Sequence, residues 1–209
     1  MPVVRLRRLL FALGAFLLSA SALYAALPKH TLDPADVTLT GQLLVASTSM
    51  GDPRFRGTVI LMVRHNKDGA FGITINRPVE ERSLASLLQG LGEKDAAAEG
   101  SVRIFAGGPV QPDSGFVIHT TDYQRPETNA INAELAVTTN PDILRDIGGK
   151  KGPQKTIVAF GYAGWGPGQL ESELAQNAWF SVPADLQLVF DESRERVWDE
   201  AVARRPRRP

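Results

Sequence analysis

The sequence predicts an α+β domain behind an apolar N-terminal leader. Runs of strand length, rich in Val, Ile and Leu, come in consecutive groups as well as between helical segments, which argues against a regular βαβ array. Leu84, Leu87, Leu88 and Leu91 follow the i, i+3, i+4, i+7 spacing of a helix laying one stripe on a sheet. The 209 residues, 43% apolar and 22% charged, suffice for one domain with a substantial core.

The elements follow in order. Arg5, Arg7 and Arg8 precede Leu9–Leu27, which carries no charge, and Ala20-Ser-Ala22 forms a small-residue end. A basic start, an apolar stretch and an A-x-A-like end describe a secretory signal peptide. The stretch also reaches the ~20 residues that cross a bilayer. Residues 1–27 thus read as a cleaved signal or a retained inner-membrane anchor, with the arginines cytoplasmic and the domain outside in either case. Residues 28–38 read as a linker, 39–203 as the domain and 204–209 as a basic tail.

Gln42–Ser47, Thr58–Arg64 and Ala70–Ile75 read as strands, the last two joined by the hairpin turn Asn66-Lys-Asp-Gly69. Ser83 caps the leucine-striped helix. Val102–Ala106, Gly115–Thr120 and Leu135–Thr138 are further strands. Asn140-Pro-Asp142 opens a helix with a cap, a proline and an acid in the first turn. Lys155–Gly161 is a strand, Gly168–Ala178 a helix, Leu186–Phe190 a strand and Ser193–Ala203 a last helix.

Charge and cysteine content exclude several classes. There is no cysteine, so disulfides, thiolate nucleophiles and Cys-ligated metals are ruled out. The 23 basic and 23 acidic groups balance, but Arg5, Arg7 and Arg8 lie in the leader and Arg204, Arg205, Arg207 and Arg208 in the tail. The body between is therefore acidic, which argues against nucleic acid as a partner. Prolines 206 and 209 make the tail a solvated, frayed end.

The densest feature is Gly161–Phe180, where Gly161, Gly164, Gly166 and Gly168 surround Trp165. Such a run predicts a strand-to-helix turn, and a Trp exposed in it would anchor a ligand or partner. It is not a phosphate loop. The Gly-Lys-Ser/Thr ending is missing, and Glu171 and Glu173 fall in the first turns of the helix, where they would repel phosphate. Gln169 and Glu173 share a polar face beside Trp165, while Leu170 and Leu174 face the core. Asp52, in a loop, and Asn76 and Arg77, in a turn, extend this candidate surface, Arg77 as a fixed cation. The alternative is an acid–base or metal-assisted site made of His65, His119 and Asp52, two imidazoles at strand ends and a carboxylate. No short-range ligand pattern supports a metal, and none of Ser47, Ser49 and Ser114 sits in a nucleophile elbow. No cofactor is implied.

Gly41-Gln-Leu-Leu44, Met50-x-Asp52-Pro-x-Phe55, His65, Gly72 through Asn76-Arg-Pro78, Gly107-Gly-Pro-Val110, Gly115-Phe-Val117 with His119, Gly161-Tyr-Ala-Gly-Trp165, Gly168-Gln-Leu-Glu171 with Glu173, Asn177-x-Trp179, Pro183-Ala-Asp185 and Phe190-Asp191 occur in this order. Together they resemble the AlgH/YqgE family of bacterial proteins over about residues 39–203. The resemblance implies a mixed, barrel-like β-sheet flanked by helices and no established enzymatic activity. Members are often labelled transcriptional regulators, but no helix-turn-helix is legible here. They usually begin near the first strand and are taken as cytoplasmic, so the leader is a departure. The expectation is a non-catalytic binding or regulatory module, exported or tethered, contacting an unidentified protein or small molecule through Trp165, Gln169 and Glu173, joined by Asp52, Asn76 and Arg77. An enzyme and a transcriptional regulator are the alternatives.

Overall fold

The structure, a computed structural model, describes residues 38–92 and 98–206. The expected leader, nearly all of the linker, and Arg207 and Arg208 lie outside the described residues. The described chain runs β1 (Gln42–Ala46), β2 (Val59–Asn66), β3 (Gly69–Thr74), β4 (Pro78–Ser83), α1 (Leu84–Gly90), β5 (Ser101–Ala106), β6 (Val110–Thr120), β7 (Thr128–Ala130), β8 (Leu135–Thr138), α2 (Asp142–Gly148), β9 (Thr156–Trp165), α3 (Gln169–Ala175), β10 (Trp179–Pro183), α4 (Leu186–Phe190) and α5 (Val197–Ala203). Among these residues no helix is long and apolar enough to cross a membrane.

The strands form one curled sheet, a half-barrel in the order β10-β1-β2-β3-β9-β6-β8-β7, with β5 joined to β9 and β4 to β5. Pairing is antiparallel except between β5 and β9. Alternation along β1 shows why both faces are covered. Leu43 and Val45 enter a core with Leu61, Ile73, Ile118, Ile157 and Val182, closed by Leu188 and Val189 of α4 and Val197 and Ala201 of α5. Leu44 and Ala46 point the other way, to Ile60, Met62, Ala163, Trp165, Leu170 and Trp179. A third cluster seats α1 and α2 on Ile104, Val117 and Val158. Each Val, Leu, Ile or Met among them, fully buried, contributes ~1.5–3 kcal/mol.

Strand β9 is the hub, and glycine lets it serve two sets of neighbours. Its first half lies between β5 and β6, and its last residues pair with β3, Ala70 opposite Trp165. The change of partner occurs at Gly161, which has φ +75°. A Cβ there would lie 2.4 Å from the Gly108 carbonyl oxygen. Gly107 stitches the same junction: its N–H donates to Phe160 O at 2.7 Å and its carbonyl accepts from Thr74 N at 2.8 Å.

The hairpin turn forms as expected, Asn66 pairing with Gly69 and accepting the Asp68 N–H at 2.9 Å. Ser83 caps α1, accepting from Ser86 N at 3.2 Å. Asn140 accepts from Asp142 N at the start of α2. Five expectations need correction. Gly161–Trp165 is not a turn, because pairing with β3 keeps it extended. The helix expected to reach Ala178 ends at Ala175, and Asn177, at φ +59°, redirects the chain into β10. Leu186–Phe190 is a short helix, because Asp185 Oδ1 accepts the Leu188 N–H at 2.8 Å and sets a helical turn. Leu91 ends α1 exposed, outside the buried leucine stripe. The start of the tail is not frayed: Arg204 is ion-paired with Asp185, and Arg205 lies over the Phe180 ring at 4.7 Å.

Candidate functional site

Helix α3 places Glu173 beneath two indoles. Leu170 is buried and Leu174 packs against the same cluster, so the helical period turns Gln169 and Glu173 together to the other side. Glu173 Oε2 accepts the Trp165 indole N–H at 2.9 Å and the Trp179 indole N–H at 2.7 Å. Its Oε1 accepts from Gln169 Nε2 at 3.0 Å, and Gln169 Oε1 takes the Gly166 N–H at 3.1 Å. The polar strip beside Trp165 is therefore a closed network.

Trp165 itself is only 7% exposed and belongs to the core cluster. It is a wall of the site, not a projecting anchor, because β9 carries it into the sheet. The Trp165 and Trp179 rings meet edge to face at 6.0 Å and 83°, and Phe55 meets Trp179 at 5.4 Å and 68°. These rings, with Met50, Pro109 and Glu173, line a cleft of about 330 Å³. Asp52 and Arg54 stand in its lining, joined by Arg54 Nη2 to Asp52 Oδ2 at 2.7 Å. That side-chain bond, then the Arg54 backbone N–H, holds the Asp52 carboxyl below its ordinary value.

Of the residues singled out from sequence, Trp165, Gln169, Glu173 and Asp52 do meet in one cleft. Arg77 lines a neighbouring hollow of about 240 Å³ that shares Arg54, Phe55 and Pro109 with it, and donates to Arg56 O at 3.0 Å. Asn76 serves the backbone instead. Its Oδ1 accepts from Val59 N and its Nδ2 donates to Gly57 O, both at 2.8 Å, which ties the loop before β2 to the end of β3. Phe55 and Trp179 were missed as walls. A Trp two residues past an Asn offers no spacing signal of its own, and Phe55 arrives from more than a hundred residues upstream.

The two imidazoles do not converge. His119 pairs with Thr156 at the start of β9, whereas His65 lies across from Ala70, which pairs with Trp165 at its end. The ten-residue strand separates them by about 30 Å of extended chain. His65 accepts the Leu39 N–H on Nδ1 at 3.1 Å and faces Glu171 Oε1 through Nε2 at 2.9 Å, which pins α3 to β2. Glu171's own backbone N–H, then the His65 ring, hold its carboxyl below the ordinary value despite partial burial. His119 is fully buried. Its Nδ1 can only donate to Thr120 O, at 2.8 Å, so the hydrogen-bond network assigns Nε2 as acceptor from the Thr138 hydroxyl at 2.9 Å. Burial pushes its pKa below the usual histidine value, against the backbone carbonyl and Asp122. The described residues contain no group of three His, Asp or Glu side chains placed to hold a metal ion.

Comparison with known proteins matches residues 43–208 to the AlgH-like family, DUF179. The chain belongs to the AlgH-like family. A UPF0301 protein of Rhodospirillum rubrum is 46% identical to this AlgH-like chain over 166 residues, covering 79% of it and 86% of the relative. One from Nitrosococcus oceani is 45% identical over 77% of this chain and 86% of its own. Among solved structures, the AlgH protein from Pseudomonas aeruginosa is 39% identical with a TM-score of 0.67, covering 82% of this chain and 91% of that one. A protein from Corynebacterium diphtheriae, 21% identical with a TM-score of 0.63, shows the fold alone. The AlgH-like architecture is thus a curled, largely antiparallel half-barrel with several helices, in a bacterial family whose function is uncharacterised.

Proposed function

We propose that this AlgH-like domain is a non-catalytic binding module whose ligand enters the Phe55–Trp165–Trp179 cleft. The observation that carries the reading is the preorganised wall: three aromatic rings at T-shaped spacing, two of them fixed by one carboxylate. Such a wall accepts an apolar group at small entropic cost, and the Asp52–Arg54 pair on its lining orients a polar end. Of the groups expected to do chemistry, Asp52 is paired with Arg54, which supports this reading. His65 and His119 are each engaged at both ring nitrogens, and Glu173, in the cleft wall, accepts from three donors.

The test is a nuclear magnetic resonance screen of small amphipathic molecules and short peptides, read at the indole N–H signals. Ligands that move the Trp165 and Trp179 signals together, and lose affinity in Phe55→Ala, support the reading. Ligands that all map elsewhere sink it, as does a substrate turned over in the cleft.

We further propose that residues 1–27 place the domain outside the cytoplasm, as a cleaved signal or an inner-membrane anchor. The arginines before an uncharged stretch support this, and direct action on genes then becomes difficult. A reporter fused after Pro209 is active only in the periplasm on this account. Activity in the cytoplasm overturns it, and intact mass separates cleavage from anchoring.

A further inference from the structure

A second cleft lies on another face, between β5, the residues entering β9 and the loop from α4 to α5. It measures about 560 Å³, and its lining includes Arg103, Lys155 and Arg194 together with Glu81 and Glu192. Arg194 is the informative member. It is 7% exposed, and its guanidinium stacks over the Phe105 ring at 5.1 Å. One Nη donates to Val189 O at 2.7 Å, while its Nε, itself buried, has no hydrogen-bond partner. Among the described residues no carboxylate comes within ion-pair distance of Arg194, Arg103 or Lys155.

That arrangement is costly as it stands. A buried charge is ordinarily paired, and an arginine does not escape by losing its proton. Burial pushes the Arg194 guanidinium below its ordinary value, with Asp191 and Glu192 acting against this at a distance and Arg103 reinforcing it. The acids of the cleft do not cancel the cations by contact. Glu81 is taken by the Ser101 hydroxyl, and Glu192 meets Arg103 through its main-chain carbonyl at 3.4 Å. Lys155 lies 6.0 Å over the Phe190 ring, on the side of the cleft formed by the start of β9.

We infer that this cleft binds a small phosphorylated ligand, its phosphoryl oxygens held by Arg194, Arg103 and Lys155. Two guanidinium forks and one ammonium suit a dianion with several acceptor oxygens better than a single carboxylate. The volume exceeds what a bare phosphate fills, and Gln154 and Thr156 offer polar walls for the rest of the ligand. This site is separate from the aromatic cleft, so either reading survives failure of the other.

The experiment titrates the full-length protein with pyrophosphate at constant ionic strength, following its melting temperature and amide signals. Pyrophosphate raises the melting temperature and moves the Arg103, Lys155 and Arg194 signals. The exposed variants Arg103→Gln and Lys155→Gln each weaken binding about tenfold while melting normally without ligand. An absent response, or an equal response in the double variant, overturns the proposal. Tighter binding to a DNA duplex than to pyrophosphate overturns the small-ligand assignment.

Discussion

Trp179 donates its indole N–H to Glu173 Oε2 over 2.7 Å, joining the first residue of β10 to the second turn of α3. The same oxygen holds Trp165 at 2.9 Å, so one carboxylate fixes two orthogonal rings from two strands. The aromatic cleft therefore owes its shape to a side chain that lies behind its walls as well as among them.

Glu173→Ala leaves both indole N–H groups without their acceptor in a largely buried setting. Each stranded donor costs ~1–3 kcal/mol, so the variant loses about 2–6 kcal/mol in urea unfolding. Glu173→Gln keeps one acceptor oxygen and loses less. Equal stability of Glu173→Ala and the parent would show that the network does not hold the cleft.

His119 makes stability depend on pH. Its folded pKa is depressed by burial below the ordinary 6.5, so below that value the unfolded chain binds the proton and the folded chain resists it. The stabilisation is complete above about 6.5 and is lost as pH falls towards the depressed native value. His119→Gln abolishes this component, which a comparison of denaturant midpoints between parent and variant across pH isolates from the other histidines. Parallel pH curves would refute it.

Gly161→Ala is expected to cost at least ~3 kcal/mol, because φ +75° and a Cβ 2.4 Å from the Gly108 carbonyl cannot both be relieved in a paired strand. Gly51→Ala is the control. Nothing lies within 4 Å of its Cβ position, and thermal unfolding should change little.

Asn76→Ala removes two 2.8 Å bonds to backbone and costs ~1–3 kcal/mol. Arg77→Ala removes one exposed bond to Arg56 O and stays within about 0.5–1 kcal/mol. Reversed magnitudes in chemical unfolding would make Arg77, not Asn76, the structural member of the pair.

Much of the fold was legible, for local reasons. Runs rich in Val, Ile and Leu marked β1, β2, β3, β5 and β8, the hairpin turn was written in Asn66 to Gly69, and Ser83 announced α1. β4 was not, because Pro78-Val-Glu-Glu-Arg-Ser83 is exposed throughout and lacks the alternation that burial of one face imposes. Its charged residues suit an edge that must refuse further strands. In the cleft, the helical period was enough to put Gln169 and Glu173 on one face. It was silent about Trp165 being a wall, since exposure depends on what packs above a residue.

By itself the sequence determined the family-bearing motifs, the acidic body with its basic ends, the absence of cysteine chemistry and the elements whose period or cap is local, the Asp185-capped turn of Leu186–Phe190 among them. Tertiary structure alone decided that Gly161–Trp165 stays extended, that His65 and His119 part to opposite ends of β9, and that Phe55, Trp165 and Trp179 meet. The physical reason is range. A cap or a turn is settled by hydrogen bonds a few residues long, whereas a glycine-rich run stays extended only where a neighbouring strand pairs with it, and two side chains a hundred residues apart meet only where strand pairing carries them.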